Sequence, residues 1–578
     1  MTDADIALSA EAWLAQDPDA ETRAELTLLL AEAAGGNDTV TADEGVSRKI
    51  AARESLRDRL STRLAFGTAG LRGEIAAGPN RMNRVVVSQA AAGLAAYLLE
   101  HRAASSSGAE DRAPSVVIGY DGRKNSAIFA RDTAEIMAGV GIRAILFPRM
   151  LPTPLVAFAV RELKASAGVM VTASHNPPAD NGYKVYLGDL NHGSQIVSPD
   201  DADISDHIDS VARDLSVLEL PRGEFELAEE SVIDAYIALT SSLVAAPDTQ
   251  LKVVYTAMHG VGWETFASTL GAAGFDEPVI VAAQIKPDPD FPTVAFPNPE
   301  EPGALDLSYA TAREANADLI IANDPDADRL AVAIPDASRE EGYRRLTGNE
   351  VGSLLGWWAA DRATREGKTT GALACSIVSS PALAAVAADY KLDFAWTLTG
   401  FKWVSRAPGL LFGFEEALGY LVNPETVRDK DGISAGLAFL SLASDLALAG
   451  KTIADHLDAF SLRFGHFASD QVSLRVTDIS RISDIMSSLR ATPPTNFGGI
   501  AVTSIDDLSA GFDGLAPADV LRLWLADGSR VMIRPSGTEP KLKIYLDTHC
   551  AEGTLAERQA VAQTSLAALR AGAEELVA

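Results

Sequence analysis

The chain repeats one local arrangement three times: a short apolar strand that runs directly into a turn rich in polar or small residues. The three junctions are VVIGYDG (116–122), VVYTAMHG (253–260) and ALACSIVS (372–379). Strand-like and helix-like segments alternate around them, as in SVVIGYDGR, IFARDTAEIMAGVG and IRAILF. Such alternation predicts sheets with parallel strands and helices on both faces. The sequence therefore predicts three related α/β units.

The last part of the chain has a different pattern. From about residue 468 it carries the strand-like QVSLRVT, a helix, the paired strands of VMIRPSGTEPKLKIYLDT and a long terminal helix, which predicts an α+β unit. Because 578 residues are too many for one core, we expect several domains. The predicted domains are 1–220 with an N-terminal helical extension, 221–345, 346–467 and 468–578. A charged segment near 201–225 is interpreted as a linker.

Charge and composition exclude several classes of partner. The formal net charge of -30 argues against nucleic acid and against anionic membranes as partners. Two cysteines, Cys375 and Cys550, are too few for a disulfide framework. The acidic N-terminus lacks the basic region of a signal peptide, and Asp445 interrupts the most apolar run. We therefore expect a cytoplasmic protein.

The stretch VMVTASHNPPADNGYKVY (169–186) places a hydroxyl in a loop between two strands. Val169, Met170 and Val171 form the first strand, and Asn176-Pro177 ends it. Ser174 then lies in a turn at the end of a strand, where function gathers in sheets of this kind. A polar turn without function remains the alternative for this stretch taken alone.

Three aspartates alternate after another apolar strand, DLIIAN. Asp324, Asp326 and Asp328 offer hard oxygen ligands of the type that Mg²⁺ prefers. An EF-hand is excluded, because Arg329 and Pro335 stand where that loop needs Gly and Glu. A phosphatase of the haloacid-dehalogenase type would have Thr where Asp328 stands, which weakens that alternative without excluding it.

Three further loops have the composition of binding sites. Arg534-Pro535-Ser536-Gly537-Thr538 combines a guanidinium, two hydroxyls and a glycine, as a phosphate cradle does. GFEEALGY (413–420) places two acids between apolar runs, where they would accept hydrogen bonds from sugar hydroxyls. FGTAGLRG (66–73) brings Arg72 into a glycine-rich loop that an anion can approach. A decorated hairpin turn, a solvated pair of glutamates and a plain loop are the respective alternatives.

Taken together, these loops resemble those of the α-D-phosphohexomutase superfamily over nearly the full chain. TASHNP resembles its phosphoserine loop, DPDADR its metal loop, GFEEALGY its sugar-recognition loop and RPSGTEP its phosphate-binding loop. The resemblance implies four domains around a central cleft, three of a shared α/β type and a fourth of α+β type. It also implies Mg²⁺ as cofactor and a phosphosugar as substrate.

The resemblance assigns roles to individual residues. Ser174 would carry the phosphoryl group, with Mg²⁺ held by Ser174 and by the three aspartates Asp324, Asp326 and Asp328. The remaining catalytic candidates are Arg72, His175, Lys184, Arg329 and Lys402, of which Lys184 and Lys402 are candidates for proton transfer. The sugar-binding candidates are Thr399, Gly400, Glu415 and Glu416. The candidates for holding the second phosphate are Arg428, Lys430, Arg534, Ser536, Gly537 and Thr538.

The predicted activity moves a phosphoryl group between positions 1 and 6 of a hexose phosphate, with glucose as the preferred sugar and a bisphosphate such as glucose 1,6-bisphosphate as activator. GFEEALGY, the TGFKW motif and the N-terminal helices look more like the phosphopentomutase-type branch, so mannose and pentose phosphates are alternatives. A metal-dependent phosphatase with an Asp nucleophile and an inactive binding relative are the alternatives from other classes. We expect a monomer or a homodimer.

Overall fold

The computed structural model describes residues 2–35, 42–105, 113–476, 478, 480–536 and 541–577. These residues form four separate sheets, each built from one continuous part of the chain. The sheets with their helices are called domains I to IV below. This arrangement confirms the predicted fold class of three α/β domains and a C-terminal α+β domain.

Three helices precede domain I, as the sequence predicts. They are α1 (Asp3–Gln16), α2 (Ala20–Ala34) and α3 (Ala42–Leu60). Thr2 begins α1 with a reciprocal pair of capping hydrogen bonds to Asp5. Trp13, Leu26 and Leu56 are buried in the same apolar core as the domain I sheet, so the extension packs on that domain.

Domain I contains a seven-stranded mixed sheet with the order β1-β5-β4-β2-β3-β7, in which β6 also pairs with β5. Its elements are β1 (Leu71–Glu74), α4 (Arg84–Ser105), β2 (Ser115–Tyr120), α5 (Ser126–Gly139), β3 (Arg143–Leu146), α6 (Thr153–Glu162), β4 (Ala167–Val171), β5 (Asp180–Leu187), β6 (Ser194–Gln195), α7 (Asp200–Asp214) and β7 (Glu226–Leu227).

Helix α7 corrects the prediction of a linker near 201–225. Ile204 and Ile208, one turn apart, are both buried against domain I, and acids occupy the first turn. An apolar spacing of four residues and acids at a helix N-terminus are helix signals. The high charge of the segment concealed them.

Domain II has a five-stranded sheet with the order β12-β11-β10-β8-β9. Its elements are α8 (Glu230–Ser241), β8 (Val253–Thr256), α9 (Gly262–Ala273), β9 (Val279–Ile280), α10 (Asp306–Ala315), β10 (Leu319–Ala322), β11 (Ala331–Pro335) and β12 (Tyr343–Arg345).

Domain III has a four-stranded sheet with the order β14-β13-β15-β16. Its elements are α11 (Gly348–Arg365), β13 (Ala372–Ser376), α12 (Ala382–Tyr390), β14 (Asp393–Thr397), α13 (Phe401–Val404), β15 (Leu410–Glu415), β16 (Gly419–Leu421), α14 (Gly432–Leu448) and α15 (Ile453–Phe464).

The first three sheets share one topology. In β3-β2-β4-β5, β9-β8-β10-β11 and β14-β13-β15-β16, three parallel strands are followed by one antiparallel strand. The loop between the third and fourth of these strands carries Ser174 in domain I, the three aspartates in domain II and Glu416 in domain III, where Glu415 is the last residue of the third strand. Each loop contains one non-glycine residue in the left-handed region, namely Ser174 (φ 52°), Ala327 (φ 54°) and Leu418 (φ 63°). The three domains therefore use one structural position for their polar residues.

Domain IV is a six-stranded antiparallel sheet with the order β17-β22-β21-β20-β19-β18 and two helices. Its elements are β17 (His466–Arg475), α16 (Ser480–Ala491), β18 (Asn496–Phe497), β19 (Ile500–Asp507), β20 (Leu521–Leu525), β21 (Arg530–Pro535), β22 (Lys541–Cys550) and α17 (Leu555–Val577). Both helices pack into one core with the sheet. Met532 and Tyr545 pack instead against Ile377 and Val378 of domain III.

A common apolar core joins domains I, II and III. It contains Phe158 from α6, Phe266 from α9, Trp358 from α11 and Phe412 from β15. Across the described residues, no single helix combines the length and apolar composition of a membrane span, whereas α14 and α15, bent by 92° at their junction, do so only as a pair. Both cysteines are free, with Cys375 buried.

Candidate active site

The serine loop delivers Ser174 to the aspartates of domain II. Its hydroxyl lies 2.8 Å from Asp324 Oδ2 and 3.2 Å from His175 Nδ1. The Ser174 backbone N–H donates to Thr172 Oγ1 at 2.8 Å, which helps to hold the left-handed turn. The side chain is buried at the contact between two domains, so the structure brings together two loops that lie 150 residues apart.

The aspartate loop forms a compact cluster of buried carboxylates. Asp324, Asp326 and Asp328 are fully buried, and one oxygen from each lies within 4.8 Å of the others. Burial and the two neighbouring carboxylates raise the pKa of Asp324 well above its usual range. Thr153, the first residue of α6, donates to Asp326 Oδ2 at 2.6 Å, a contact that the sequence did not predict.

Two lysines neutralise this cluster. Lys184 Nζ lies 2.8 Å from Asp326 Oδ2 and 2.7 Å from Asp328 Oδ2, and Lys430 Nζ lies 2.7 Å from the same Asp328 oxygen. Although burial raises the pKa of Asp328, the two lysines bring it far below its usual range. Burial lowers the pKa of Lys184, but Asp326 and Asp328 raise it by more than burial lowers it. The pKa of Lys184 therefore lies above its usual value, and this lysine stays protonated.

The donor set fits a hard divalent cation. Within the described residues, Asp326 Oδ1 and Asp328 Oδ1 are buried and accept no hydrogen bond. Buried unpaired carboxylate oxygens are costly unless a cation or a donor satisfies them. Three carboxylates at one point, two of which have a free oxygen, are the ligand chemistry that Mg²⁺ takes in proteins. The cluster could therefore hold a metal ion.

Arginine side chains surround the serine. Arg329 donates its backbone N–H to Asp324 Oδ1 at 3.0 Å, and its guanidinium lies 3.9 Å from Asp324 Oδ2. Arg72 donates to Asn176 Oδ1 at 3.0 Å and so lies beside the serine loop. Burial together with these two cations holds the pKa of His175 well below its usual range, which makes its imidazole neutral.

A glycine allows Arg72 to reach this position. Gly70 has φ +73°, and a Cβ there would lie 1.8 Å from the carbonyl oxygen of Tyr183 in β5. Only glycine permits that approach of the FGTAGLRG loop to the strand.

The sugar-loop acids differ in their surroundings. Ser376 and Ser379 both donate to Glu416 Oε2, at 2.9 and 3.0 Å, and Glu416 donates its own N–H to Ser379 Oγ at 3.0 Å. Burial raises the pKa of Glu415 to about 7, although Lys430 lowers it. The two serines belong to the junction ALACSIVS (372–379), and no role was predicted for them from the sequence.

Lys402 joins domain III to domain I through a short hydrogen bond to Thr68 Oγ1. Burial lowers its pKa to about 8. A lysine that transfers a proton near neutral pH needs such a lowered pKa. Of the two predicted proton-transfer lysines, Lys402 meets this condition and Lys184 does not. Thr399 and Gly400 precede α13, and Gly400 has φ +104°.

The phosphate loop connects β21 and β22. Ser536 donates its backbone N–H to the Lys541 carbonyl at 2.8 Å and closes the hairpin. Arg534 pairs with Lys543 in the β21–β22 register. Burial raises the pKa of Tyr545, and the charges of Glu416 and Arg534 act on the same phenol, so Tyr545 lies near both this loop and the loop of Glu416. Gly537 and Thr538 lie outside the described residues.

Arg428 and Lys430, the two other candidates for holding the second phosphate, lie in the loop before α14. Arg428 donates to the Ser405 carbonyl at 3.1 Å, and burial lowers its pKa. Lys430 pairs with Asp328, since its loop turns toward domain II. The structure therefore places Lys430 with the aspartate cluster.

Models of one family match most of the chain. Their descriptions are phosphoglucomutase/phosphomannomutase alpha/beta/alpha domain I (residues 63–214), domain II (233–337), domain III (347–462) and the C-terminal domain (489–563).

Relatives with curated names cover nearly the same part. The chain is 54% identical over 468 residues to a "Probable phosphomannomutase" of Haemophilus influenzae, covering 81% of this chain and 93% of the relative. It is 35% identical to the human phosphopentomutase (87% and 88% covered) and 35% identical to a phosphoglucomutase of Staphylococcus epidermidis (86% and 93% covered). A crystal structure of a phosphoglucomutase/phosphomannomutase family protein from Burkholderia thailandensis superposes with a TM-score of 0.67 at 19% identity, covering 89% of this chain and 97% of the other.

Proposed function

The chain belongs to the phosphoglucomutase/phosphomannomutase family of phosphomutases, within the α-D-phosphohexomutase superfamily, and from that premise we propose that it exchanges a phosphoryl group between positions 1 and 6 of a hexose phosphate. Members of this family are isomerases. We propose glucose 1-phosphate and glucose 6-phosphate as the preferred pair.

One observation carries the reaction class: the Ser174 hydroxyl lies at the aspartate cluster, 2.8 Å from Asp324 Oδ2. A phosphoryl group on this oxygen would meet the positive charges of Arg329 and Arg72. Such charges stabilise a transferring phosphoryl group. The side chain is buried, and this favours a carrier that exchanges phosphate with a bound sugar over a hydrolytic nucleophile.

We propose that the reaction consists of two phosphoryl transfers with a sugar bisphosphate between them. A hydroxyl oxygen of the sugar monophosphate attacks phosphorus, the bond from phosphorus to Ser174 Oγ breaks, and the hydroxyl proton passes to a basic group. The resulting bisphosphate turns around in the cleft. Ser174 Oγ then attacks the phosphorus of the other phosphoryl group, and the bond from that phosphorus to the sugar oxygen breaks. The proton is given back to this sugar oxygen. Lys402 is the proposed proton carrier, since its pKa of about 8 suits both directions.

The remaining contacts hold the sugar. Glu416 is fixed by Ser376 and Ser379, so its carboxylate presents a constant position to sugar hydroxyls. Glu415 is the second proposed acceptor of hydrogen bonds from the sugar. Thr399 and Gly400 are proposed to complete the sugar site. Arg534 and Ser536 are proposed to hold the phosphate that does not react, together with Gly537 and Thr538.

We propose Mg²⁺ as the cation of Asp324, Asp326 and Asp328. When bound, Mg²⁺ would offset negative charge on the phosphoryl oxygens. Lys184 and Lys430 lie within 2.8 Å of Asp326 or Asp328 and offset part of the negative charge of the cluster. A sugar bisphosphate is the proposed activator, because it would restore phosphate to Ser174 after loss of the intermediate.

Mannose is the second candidate sugar, since the relative with 54% identity is named a probable phosphomannomutase. The phosphopentomutase relatives make pentose 1- and 5-phosphates a third. Turnover of glucose, mannose and ribose 1-phosphates should be measured side by side, with the matching bisphosphate supplied. A kcat/KM for glucose below that for either other sugar would replace our assignment of the substrate.

The reaction class is tested at Ser174. We expect the purified enzyme to carry phosphate on Ser174 by mass spectrometry, and Ser174→Ala to lose at least about 10³-fold in kcat because no carrier remains. The thermal midpoint of this variant should stay close to that of the wild type. Phosphate trapped on Asp324, Asp326 or Asp328 instead would support a phosphatase and contradict the mutase.

A further inference from the structure

Arg123 is a buried cation that the proposed mechanism does not use. It closes the motif Asp121-Gly122-Arg123 directly after β2, the central strand of domain I. Its side chain has no solvent exposure. An arginine is seldom buried without a set of acceptors for its donors, so its contacts show what it does.

The guanidinium of Arg123 is wrapped by the backbone of the serine loop. Nη2 donates to the carbonyl oxygens of Ser174 and Asn176, both at 2.6 Å. Nη1 donates to the carbonyls of Pro177 and Asp180, at 2.8 and 3.1 Å. Four carbonyls of one seven-residue segment therefore converge on a single planar side chain.

Neighbouring groups fix the orientation of this guanidinium. Asp121 Oδ2 lies 3.5 Å from Arg123 Nε, and Asp121 Oδ1 accepts hydrogen bonds from the Arg123 N–H and from Ser126 Oγ. The guanidinium carbon lies 5.0 Å from the ring centroid of Phe291, which domain II contributes. Domain I thus anchors the arginine from one side and domain II covers it from another.

We propose that Arg123 is a positioning residue for phosphoryl transfer: it sets the backbone of the serine loop so that the Ser174 hydroxyl meets Asp324. This inference rests on the proposed function of Ser174. One of its four acceptors is the carbonyl of Ser174 itself, so a shift of the guanidinium moves the reacting residue directly. The same bond supports the left-handed conformation of Ser174, which a non-glycine residue seldom adopts unaided.

The geometry requires an arginine. Its fork presents donors in one plane at fixed angles, and this matches four carbonyls arranged around it. A lysine offers three donors from one nitrogen atom and cannot reach both pairs of acceptors. The change Arg123→Lys keeps the charge and most of the volume, and therefore isolates the loss of shape.

The test compares Arg123→Lys and Arg123→Ala with Arg131→Ala, a control on exposed α5 surface. We expect kcat of Arg123→Lys to fall by about tenfold or more, and that of Arg123→Ala by about 10²-fold, with KM for the sugar phosphate changed by less than about threefold. Ethylguanidinium should restore kcat of Arg123→Ala and leave Ser174→Ala inactive. Arg131→Ala should match the wild type.

A role in folding alone gives a different result. In that case the folded fraction falls, while kcat per folded molecule and KM stay at wild-type values, and ethylguanidinium has no effect on kcat. That result would overturn the proposal. If Arg123→Ala does not fold, Arg123→Lys decides, and wild-type kcat in that variant would overturn it equally.

Hydrogen–deuterium exchange separates this inference from the proposed function. We expect faster exchange in the peptide covering residues 172–181 for Arg123→Lys, and wild-type exchange for Arg131→Ala. If the wild type isomerises no sugar phosphate, the proposed function is wrong. The hydrogen–deuterium exchange of residues 172–181 then still tests whether Arg123 holds the serine loop. Unchanged exchange in Arg123→Lys would show that the arginine does not hold the loop.

Discussion

Glu415 combines a buried position with charged neighbours of both signs. Burial raises its pKa to about 7 from an ordinary value of 4.5, and the nearby Lys430 and Arg329 only partly reverse this effect. The folded state therefore retains a proton on Glu415 between about pH 4.5 and 7, where the unfolded chain has lost it. Its contribution to stability is complete below pH 4.5 and is lost as the pH rises through 7.

The change Glu415→Gln removes this pH dependence, because glutamine keeps the shape of the protonated acid and cannot ionise. We expect the thermal midpoint of the variant, relative to wild type, to be higher at pH 8 than at pH 5.5. Calorimetry at both values measures the difference. Glu314→Gln, on the exposed face of α10, is the control and should show the same offset at both pH values. An equal offset for Glu415→Gln would contradict the raised pKa.

At the scale of single residues, the sequence pointed to candidate side chains more readily than to the contacts that these side chains make. Ser174 and the three aspartates follow strands in recognisable motifs, and ligand chemistry alone selects the aspartates. Arg123 was missed, although Asp121-Gly122-Arg123 stands at a strand end, because its acceptors are backbone carbonyls that no side-chain pattern reveals. The contact between Lys430 and Asp328 was not predicted, since neighbours in sequence do not tell which domain a loop faces.

One short element, the loop 428–431 before α14, contacts three domains through successive residues. Arg428 donates to a carbonyl within domain III, Asp429 Oδ2 accepts from Tyr186 of domain I at 2.9 Å, and Lys430 pairs with Asp328 of domain II. Asp431 accepts from Tyr236 of α8 at 2.9 and 3.0 Å and also caps α14. The loop thus ties three domains together at the aspartate cluster.

We expect Tyr236→Phe to lower stability by about 1–3 kcal/mol, because Asp431 is buried and would lose a donor. The thermal midpoint and kcat should be measured together, and kcat should stay within about threefold of wild type since Lys430 keeps its own contact. Tyr120→Phe is the matched control, because the Tyr120 phenol makes none of the described hydrogen bonds. A midpoint for Tyr236→Phe equal to that of the control would contradict a stabilising role for this contact.

Elements were predictable where pattern and composition agree. The alternation of strands and helices and the three recurring junctions predicted three α/β domains, and the strand orders confirm them. Helix α7 was predicted as a linker because its many charged residues were given more weight than the helical spacing of Ile204 and Ile208. In each of domains I to III, one loop connects the third and fourth strands of the shared topology. These three loops are equivalent in the sheets, but their sequences have little in common, so the sequence alone did not show the equivalence.

For the molecule as a whole, the attachment of domain IV depends on a buried cation. Arg530 pairs with Asp547 at 2.6 Å and donates to the carbonyls of Ile377 and Ser379 in domain III, at 3.1 and 2.6 Å. Its guanidinium also lies 5.0 Å from the ring centroid of Trp396. Ser379 also donates a hydrogen bond to Glu416, so the same loop connects domain IV to the glutamates of GFEEALGY.

Removing Arg530 leaves Asp547 buried without its main partner, and such a loss costs about 3–5 kcal/mol. We expect Arg530→Met to melt domain IV in a separate, earlier calorimetric transition and to lower kcat/KM by raising KM. Replacing both partners, as Arg530→Met with Asp547→Leu, should restore part of the stability.

The control for this prediction is Arg570→Met, which removes an exposed ion pair with Asp470 in the same domain. Exposed pairs contribute about 0–1 kcal/mol, so its calorimetric profile should match the wild type. A single transition at the wild-type temperature in Arg530→Met would show that the docking of domain IV does not need this cation.

The sheets exchange no strands among the described residues, and this has a consequence for the growing chain on the ribosome. Each sheet is complete once its own stretch has emerged, and domains fold as units from the N-terminus at about 5–20 residues per second. The site is different, because Thr68 needs Lys402, which is made 334 residues later, and Ser379 needs Arg530, which is made 151 residues later. A nascent chain therefore acquires ordered domains early and a working cleft only at the end of synthesis, so truncated products would be folded yet inactive.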